Sequence, residues 1–316
     1  MEERAPSGVG LSTGRRWLII RFRAIGDNVM VAWAVSAIRA QEPDAHITWV
    51  TEKGLHDVID TEHLVNELVL LDRQGHKKRR WNPATWLEQI RFYTQFRGNF
   101  DVGLDFQGHL KTQILLWLSR PKQPLALHAT DALAKRLNPI SKAAGTHKVE
   151  LYMSFLNHVG SYEQPVRPIM PDVTYALPQT QNVVSINTGA SFAFKAVPIP
   201  VLQDVADQLT ALGYFVVGMG GPKDQPLERV HDLCRKTTLR ESLGVVRASA
   251  CHISGDTGSG HIAAAYGVPF VSCFVNLQNH PSVFRPYGDA GAVLMPEEVT
   301  AARIVEEVVR WAPLKK

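Results

Sequence analysis

Apolar runs of strand length alternate with longer helical segments along this chain, in two series separated by a single interruption. Strands joined through helices must cross over and pair in parallel, with helices covering both faces of the sheet. In the first series, strands are expected at 17–22, 46–51, 67–71 and 101–105. Helices are expected at 28–41, 83–96, 109–118, 130–135 and 149–159. Pro43 stops the first of these helices. In the second series, strands are expected at 182–187, 214–218, 251–254 and 268–274, and helices at 198–212, 227–235, 243–250, 258–266 and 296–310. Between them, Pro165, Pro168, Pro171 and Pro178 crowd a stretch with neither period. The expected organisation is therefore two doubly wound α/β domains, at 15–163 and 181–316, joined by a linker at 164–180. A disordered extension occupies 1–14, and the last helix is free to pack back on the first domain.

A length of 316 residues suits two domains, each with its own core. The net charge of +4 fits an anionic ligand without asking for nucleic acid. Cys234, Cys251 and Cys273 are odd in number and form no C-x-x-C pair, so reduced thiols are expected. No run approaches the roughly 18 apolar residues of a membrane span, and the first 14 residues lack the apolar core of a signal peptide. A cytoplasmic protein is expected, with peripheral membrane contact allowed. The basic run at 76–80 is read as a solvated loop, with anionic lipid headgroups as the alternative.

Ligands of doubly wound sheets bind beyond the carboxyl ends of the strands, and five loops there carry chemistry. Asp27 lies in a Gly-Asp turn after the first strand, where a carboxylate either takes a proton from an attacking hydroxyl or caps the helix. The segment 254–261 (Ser-Gly-Asp-Thr-Gly-Ser-Gly-His) sets glycines and hydroxyls at a helix start, an arrangement suited to a phosphate. Thr188, Gly189, Ser191 and Lys195 form a second phosphate-type loop, or else an ordinary exposed loop. The segment 218–224, ending in Asp224, is Gly-rich but lacks G-x-G-x-x-G spacing, so a turn against a base or ribose is preferred to a nicotinamide site. In 105–112, Asp105, Gln107 and Lys111 face a polar acceptor or simply open a helix. There is no Walker A motif, G-x-S-x-G elbow, H-E-x-x-H, Cys/His ligand pair or D-x-D tripeptide. No metal site and no cofactor are expected.

Taken together, these loops resemble the lipopolysaccharide heptosyltransferases, glycosyltransferase family 9. The likeness rests on 19–28, on 101–112 against D-x-Q-G-x-x-K-[ST], on 146–150 (Thr-His-Lys-Val-Glu), on 188–198, and on 255–269 against D-[ST]-G-x-x-H-x-A-A-x-x-G-x-P. The resemblance implies a GT-B fold, two facing Rossmann-like domains with a cleft between them. It implies an inverting, metal-independent transfer of heptose from ADP-heptose to an anionic glycolipid or saccharide acceptor. In that scheme Asp27 is the general base. Thr188, Gly189, Ser191, Lys195, Thr257 and Gly258 hold the diphosphate, Asp224 faces the nucleoside, and Asp256 and His261 complete the donor pocket. Asp105, Gln107 and Lys111 lie on the acceptor side. The chain departs from the family pattern after Lys195, where the family has a Trp-Pro pair and here Ala196, Val197 and Pro198 follow. It departs again after Phe274, where Val275, Asn276 and Leu277 replace F-G-P-T. A GT-B enzyme for another nucleotide sugar, a 2-epimerase, and a non-catalytic nucleotide-sugar-binding protein stand as alternatives.

Overall fold

The structure, a computed structural model, describes residues 14–79, 82–127, 137, 139–140, 145–162, 164–179 and 181–314. The expected extension over 1–14, apart from Gly14, the helix at 130–135, and Arg80 of the basic run lie outside these residues.

The first half runs β1 (Arg16–Ile20), α1 (Ile25–Gln41), β2 (His46–Glu52), β3 (Glu67–Leu71), α2 (Arg73–Lys78), α3 (Pro83–Thr94), β4 (Val102–Asp105), α4 (Leu110–Ser119), β5 (Gln123–Leu127), β6 (Pro139–Ile140) and α5 (Lys148–Leu156). The second runs β7 (Val183–Asn187), α6 (Ile199–Leu212), β8 (Phe215–Met219), β9 (His231–Asp232), α7 (Leu239–Arg247), β10 (Cys251–Gly255), α8 (Gly258–Tyr266), β11 (Phe270–Cys273), α9 (Pro281–Phe284), β12 (Gly291–Leu294) and α10 (Ala301–Trp311).

The sheet orders are β3-β2-β1-β4-β5-β6 and β12-β11-β10-β7-β8-β9, with parallel pairing throughout. The strand order therefore reverses between β1 and β4 in one sheet and between β7 and β10 in the other, and each reversal opens a crevice at the carboxyl ends. Trp17 to Ile20 are wholly buried, as a strand covered on both faces requires, which is why their sequence reads as a continuous apolar run. All three cysteines are buried and free. No helix among the described residues is long and apolar enough to cross a membrane.

Several elements differ from the sequence expectation. The segment 227–235 is not a helix: Arg229 and Arg235 have φ of 56° and 64°, in the left-handed region, and the residues between them form the edge strand β9 beside Val217 and Gly218. The helix expected at 243–250 starts earlier, at Leu239, where the Thr238 hydroxyl accepts from the Glu241 amide and the Glu241 carboxylate accepts from the Thr238 amide. The basic run is partly helical, in α2. The last helix does not return to the first domain. It packs on α6 and β11, its Ile304, Val305 and Val308 lie in the second domain's core, and the Tyr214 hydroxyl donates to the Ala312 carbonyl at 2.8 Å.

The two halves meet along α1 and α8, which pack directly on each other. One apolar cluster holds Trp33 and Ile38 of α1 together with Ile262 and Ala265 of α8 and Phe270 of β11. The Pro-rich segment is strapped to both helices: the Ser36 hydroxyl accepts from the Ile169 amide at 2.9 Å, and the Tyr266 hydroxyl donates to the Pro171 carbonyl at 2.8 Å.

Candidate active site

Asp27 sits in the first turn of α1, where its carboxylate accepts from the Ala24 amide at 3.1 Å and closes the helix start. The capping role is therefore real, and more is attached to it. Arg21, at the end of β1, reaches Oδ2 at 2.7 Å, and Lys148, at the start of α5, reaches Oδ1 at 2.9 Å. Burial opposes ionisation of Asp27, but Arg21 and Lys148 outweigh it and hold the carboxyl well below the usual carboxylate range. The side chain keeps about a fifth of its surface exposed (22%), so the charged oxygen remains within reach of a ligand. Sequence reasoning gave neither cation a role. Arg21 left one signal, a lone charge closing an apolar run, which needs a partner once buried. Lys148 is distant in sequence and left none beyond its place in the motif-like stretch 146–150.

Opposite this turn stands the start of α8. A methyl group at Gly26 would lie 2.7 Å from Cδ2 of His261, and one at Gly258 would lie 2.9 Å from Cγ2 of Ile25. The first turns of α1 and α8, one from each domain, thus touch through bare backbone, and Asp27 lies beside the contact. His261 is buried there, and burial pushes its imidazole down to about 4, so it is neutral at neutral pH. Next to His261 across the interface, His147 accepts from the Val149 amide through Nδ1. This leaves Nε2 as the donor to the Arg285 carbonyl at 2.9 Å.

The second-domain loops assemble around the β7–β10 crevice. The Lys195 ammonium pairs with Asp256 at 2.8 Å, and the Asn279 amide donates to the same carboxylate at 2.8 Å. Thr257, at the N-cap of α8, makes no capping bond to the helix amides; its hydroxyl shares a 3.0 Å bond with Ser259 and accepts from Asn187 at 3.4 Å. The first-turn amides of α8 therefore have no side-chain cap of the usual kind. Thr188 is buried, with its hydroxyl 3.3 Å from the Met219 carbonyl. Ser191 is exposed at the mouth of the loop. Asp224 lies against Gly189, where a methyl group would overlap its carboxylate, and it accepts from the Gly221 amide at 2.6 Å. Sequence reasoning overlooked Phe192 and Phe194, both exposed, whose rings stack at 5.4 Å beside Lys195. Asn276, in the second departure from the family pattern, donates through its side-chain amide to the Phe194 carbonyl, in the turn just before the first departure.

On the first domain, a basin of about 700 Å³ opens beyond β1, β2 and β4. Gln107 and Lys111 line it with His76, and Arg23, Arg73 and Lys77 outnumber the one carboxylate there, Glu52, which pairs with Arg73 at 3.0 Å and Arg23 at 3.8 Å and leaves the basin basic. The Gln107 side-chain oxygen Oε1 also accepts from the Phe22 amide at 2.8 Å, tying the basin to the turn that carries Asp27. Asp105 stands apart from the residues expected on the acceptor side. It is wholly buried, its Oδ1 accepts from the amides of Gln107 and Gly108, and burial raises its carboxyl to about 6. It supports the loop and does not line the basin.

The family model described as glycosyltransferase family 9 (heptosyltransferase) matches residues 90–308. The chain is 26% identical over 286 residues to lipopolysaccharide heptosyltransferase 1 of Pseudomonas aeruginosa, covering 82% of this chain and 78% of that protein. It is 22% identical over 277 residues to lipopolysaccharide heptosyltransferase 3 of Escherichia coli K12, covering 79% of each. In fold it resembles the E. coli heptosyltransferase WaaC with ADP, at a TM-score of 0.77 and 18% identity, over 94% of this chain and 100% of that one. The two parallel sheets with facing crevices are the GT-B arrangement, and the chain is a glycosyltransferase that belongs to family 9, the heptosyltransferase family.

Proposed function

We propose that this enzyme transfers a heptose from ADP-heptose to a hydroxyl of a lipopolysaccharide-core acceptor, with inversion and without a metal ion. The observation that carries the reading is the contact of the two helix starts, which sets the Asp27 carboxylate beside the α8 turn. The names of the relatives support the sugar and the acceptor class. In this reading the acceptor oxygen bonds to the anomeric carbon as the bond to the diphosphate breaks on the opposite face, and the acceptor proton passes to Asp27. Arg21 and Lys148 keep that carboxylate ionised and aimed. Its low basicity suits late proton transfer, after the attacking oxygen has become acidic through bond formation.

The leaving diphosphate gains negative charge, which Lys195 and the α8 amides stabilise together with the hydroxyls of Thr188, Ser191 and Thr257. Asp256 and His261 shape this pocket, while Gly189 and Asp224 border the nucleoside. The basic basin with Gln107 and Lys111 suits an anionic glycolipid met at the cytoplasmic face of the inner membrane.

The test pairs ligand binding with turnover. ADP and ADP-heptose should raise the thermal transition, while UDP and GDP sugars should not. Asp27→Asn should keep that shift yet lose about 10²–10⁴-fold in transfer, and wild-type transfer should persist in EDTA. Near-normal transfer by Asp27→Asn would remove Asp27 from the base role, and stabilisation by UDP or GDP ligands alone would overturn the donor.

A further inference from the structure

Helix α3 has an apolar side facing solvent. Its inner side is already satisfied: Thr85 is buried, and Phe92 packs with Phe96 on the first domain's core at a ring distance of 5.9 Å. On the opposite side, Trp86, Leu87 and Ile90 are 57%, 56% and 59% exposed. Their i, i+1, i+4 spacing gathers them on one stripe. A helix that only covers its own domain carries charged or polar residues there. The adjoining α4 leaves Leu110 and Trp117 exposed as well, seven residues apart on one face.

The charge around the stripe selects what covers it. Between Arg73 and Arg97 the sequence holds seven Lys and Arg against one carboxylate, Glu88, in a chain whose total is only +4. Glu88 is already engaged by Arg79 at 3.4 Å and His76 at 3.6 Å, contacts that hold α2 against α3. Lys78 and Arg91 have no carboxylate partner among the described residues. An apolar stripe with Trp at one end and a cationic rim matches the boundary between headgroups and acyl chains of an anionic bilayer. At 12 residues α3 is too short to span, so it would lie in the plane of the surface.

We propose that α3 docks this enzyme on an anionic membrane surface, with Trp86, Leu87 and Ile90 entering the interface and the basic side chains of α2 and α3 on lipid headgroups. Gln89 and Tyr93 of the same helix line the basic basin, so docking brings the basin's mouth to the lipid surface. The delivery of a glycolipid acceptor there rests on the function proposed above, but the docking does not.

The experiment uses the full chain with no donor or acceptor. Co-sedimentation is measured with phosphatidylcholine vesicles, with and without phosphatidylglycerol, for the wild type and for Leu87→Asp/Ile90→Asp. Both substituted positions are exposed and neither lines the basic basin, so the thermal transition and the shift given by ADP should not change. The wild type should bind the anionic vesicles, less tightly as salt rises, and the double variant should bind about tenfold more weakly or worse. Failure of the wild type to sediment with anionic vesicles, or equal binding by the variant, overturns the proposal. So does a concentration-dependent dimer in sedimentation velocity that the double variant abolishes, since a second copy would then be the occupant. A missing ADP shift alongside normal vesicle binding would count against the donor assignment alone.

Discussion

Asp27 is held by three donors, and the two cations among them make its chemistry depend on a residue from a distant element. Lys148 lowers the carboxyl's affinity for protons, so Lys148→Met should raise it. If Asp27 must be ionised to act, the acid limb of kcat/KM moves to higher pH in the variant, and an unmoved limb would separate Lys148 from the base. Stability should follow the same linkage. A carboxyl held below its ordinary value of 3.8 stabilises the fold fully above that pH, and loses the stabilisation as pH falls toward the folded-state value. Removing Lys148 should cost on the order of 2 kcal/mol at neutral pH, with the gap to wild type narrowing below about pH 4. Thermal unfolding measured across that range checks the sign.

At the scale of elements, the site is two helix starts brought together by glycines. Gly258→Ala would place a methyl group 2.9 Å from Ile25 and 3.1 Å from the Gly26 amide, both on the backbone turn that carries Asp27. Overpacking of this kind costs about 1–3 kcal/mol. Because the strain moves the Asp27 turn away from the start of α8, the proposed mechanism predicts that transfer falls by about tenfold or more, while ADP still raises the thermal transition. Equal transfer by Gly258→Ala would show that the contact does not set the geometry. The loops on either side were legible in sequence because strand-to-helix turns concentrate Gly, Asp and hydroxyl residues for local reasons. The meeting of α1 with α8 was not legible, since it depends on how two independently readable domains pack. Local signals also failed where an element has no period. β9 is two residues long, and the segment around it alternates like a helix until two arginines adopt positive φ. The capping pair Thr238 and Glu241 was a readable start for α7 that the apolar pattern alone placed too late. Asp105 shows the limit at a site residue: its position at a strand end suggests a ligand contact, and only burial reveals that it supports the loop.

For the molecule as a whole, α1 decides how the two halves behave together. Its residues from Asn28 to Ile38 are buried all round, against α8 and α5 and in one apolar cluster with Trp17, Ile19, Ile47 and Trp49 of its own sheet. Fully burying each large aliphatic side chain contributes about 1.5–3 kcal/mol, and here the benefit is shared between domains. Interfaces between domains of one chain are commonly small and polar, which leaves the domains free to move and to melt separately. A shared apolar core predicts the opposite, a single calorimetric transition whose van't Hoff and calorimetric enthalpies agree. Trp33 is the place to test it. Its ring packs edge-on against Tyr287 of the second domain at 5.0 Å, and it is nearly buried although it lies on a first-domain helix. Trp33→Ala should cost about 3–5 kcal/mol and, by removing contact across the interface, should broaden the transition or split it in two. Two transitions already present in the wild type would mean that the domains are stable independently. Closure over substrate would then be a motion of separate bodies, whereas one transition ties the α1 turn that carries Asp27 and the α8 turn opposite it to the stability of the whole chain.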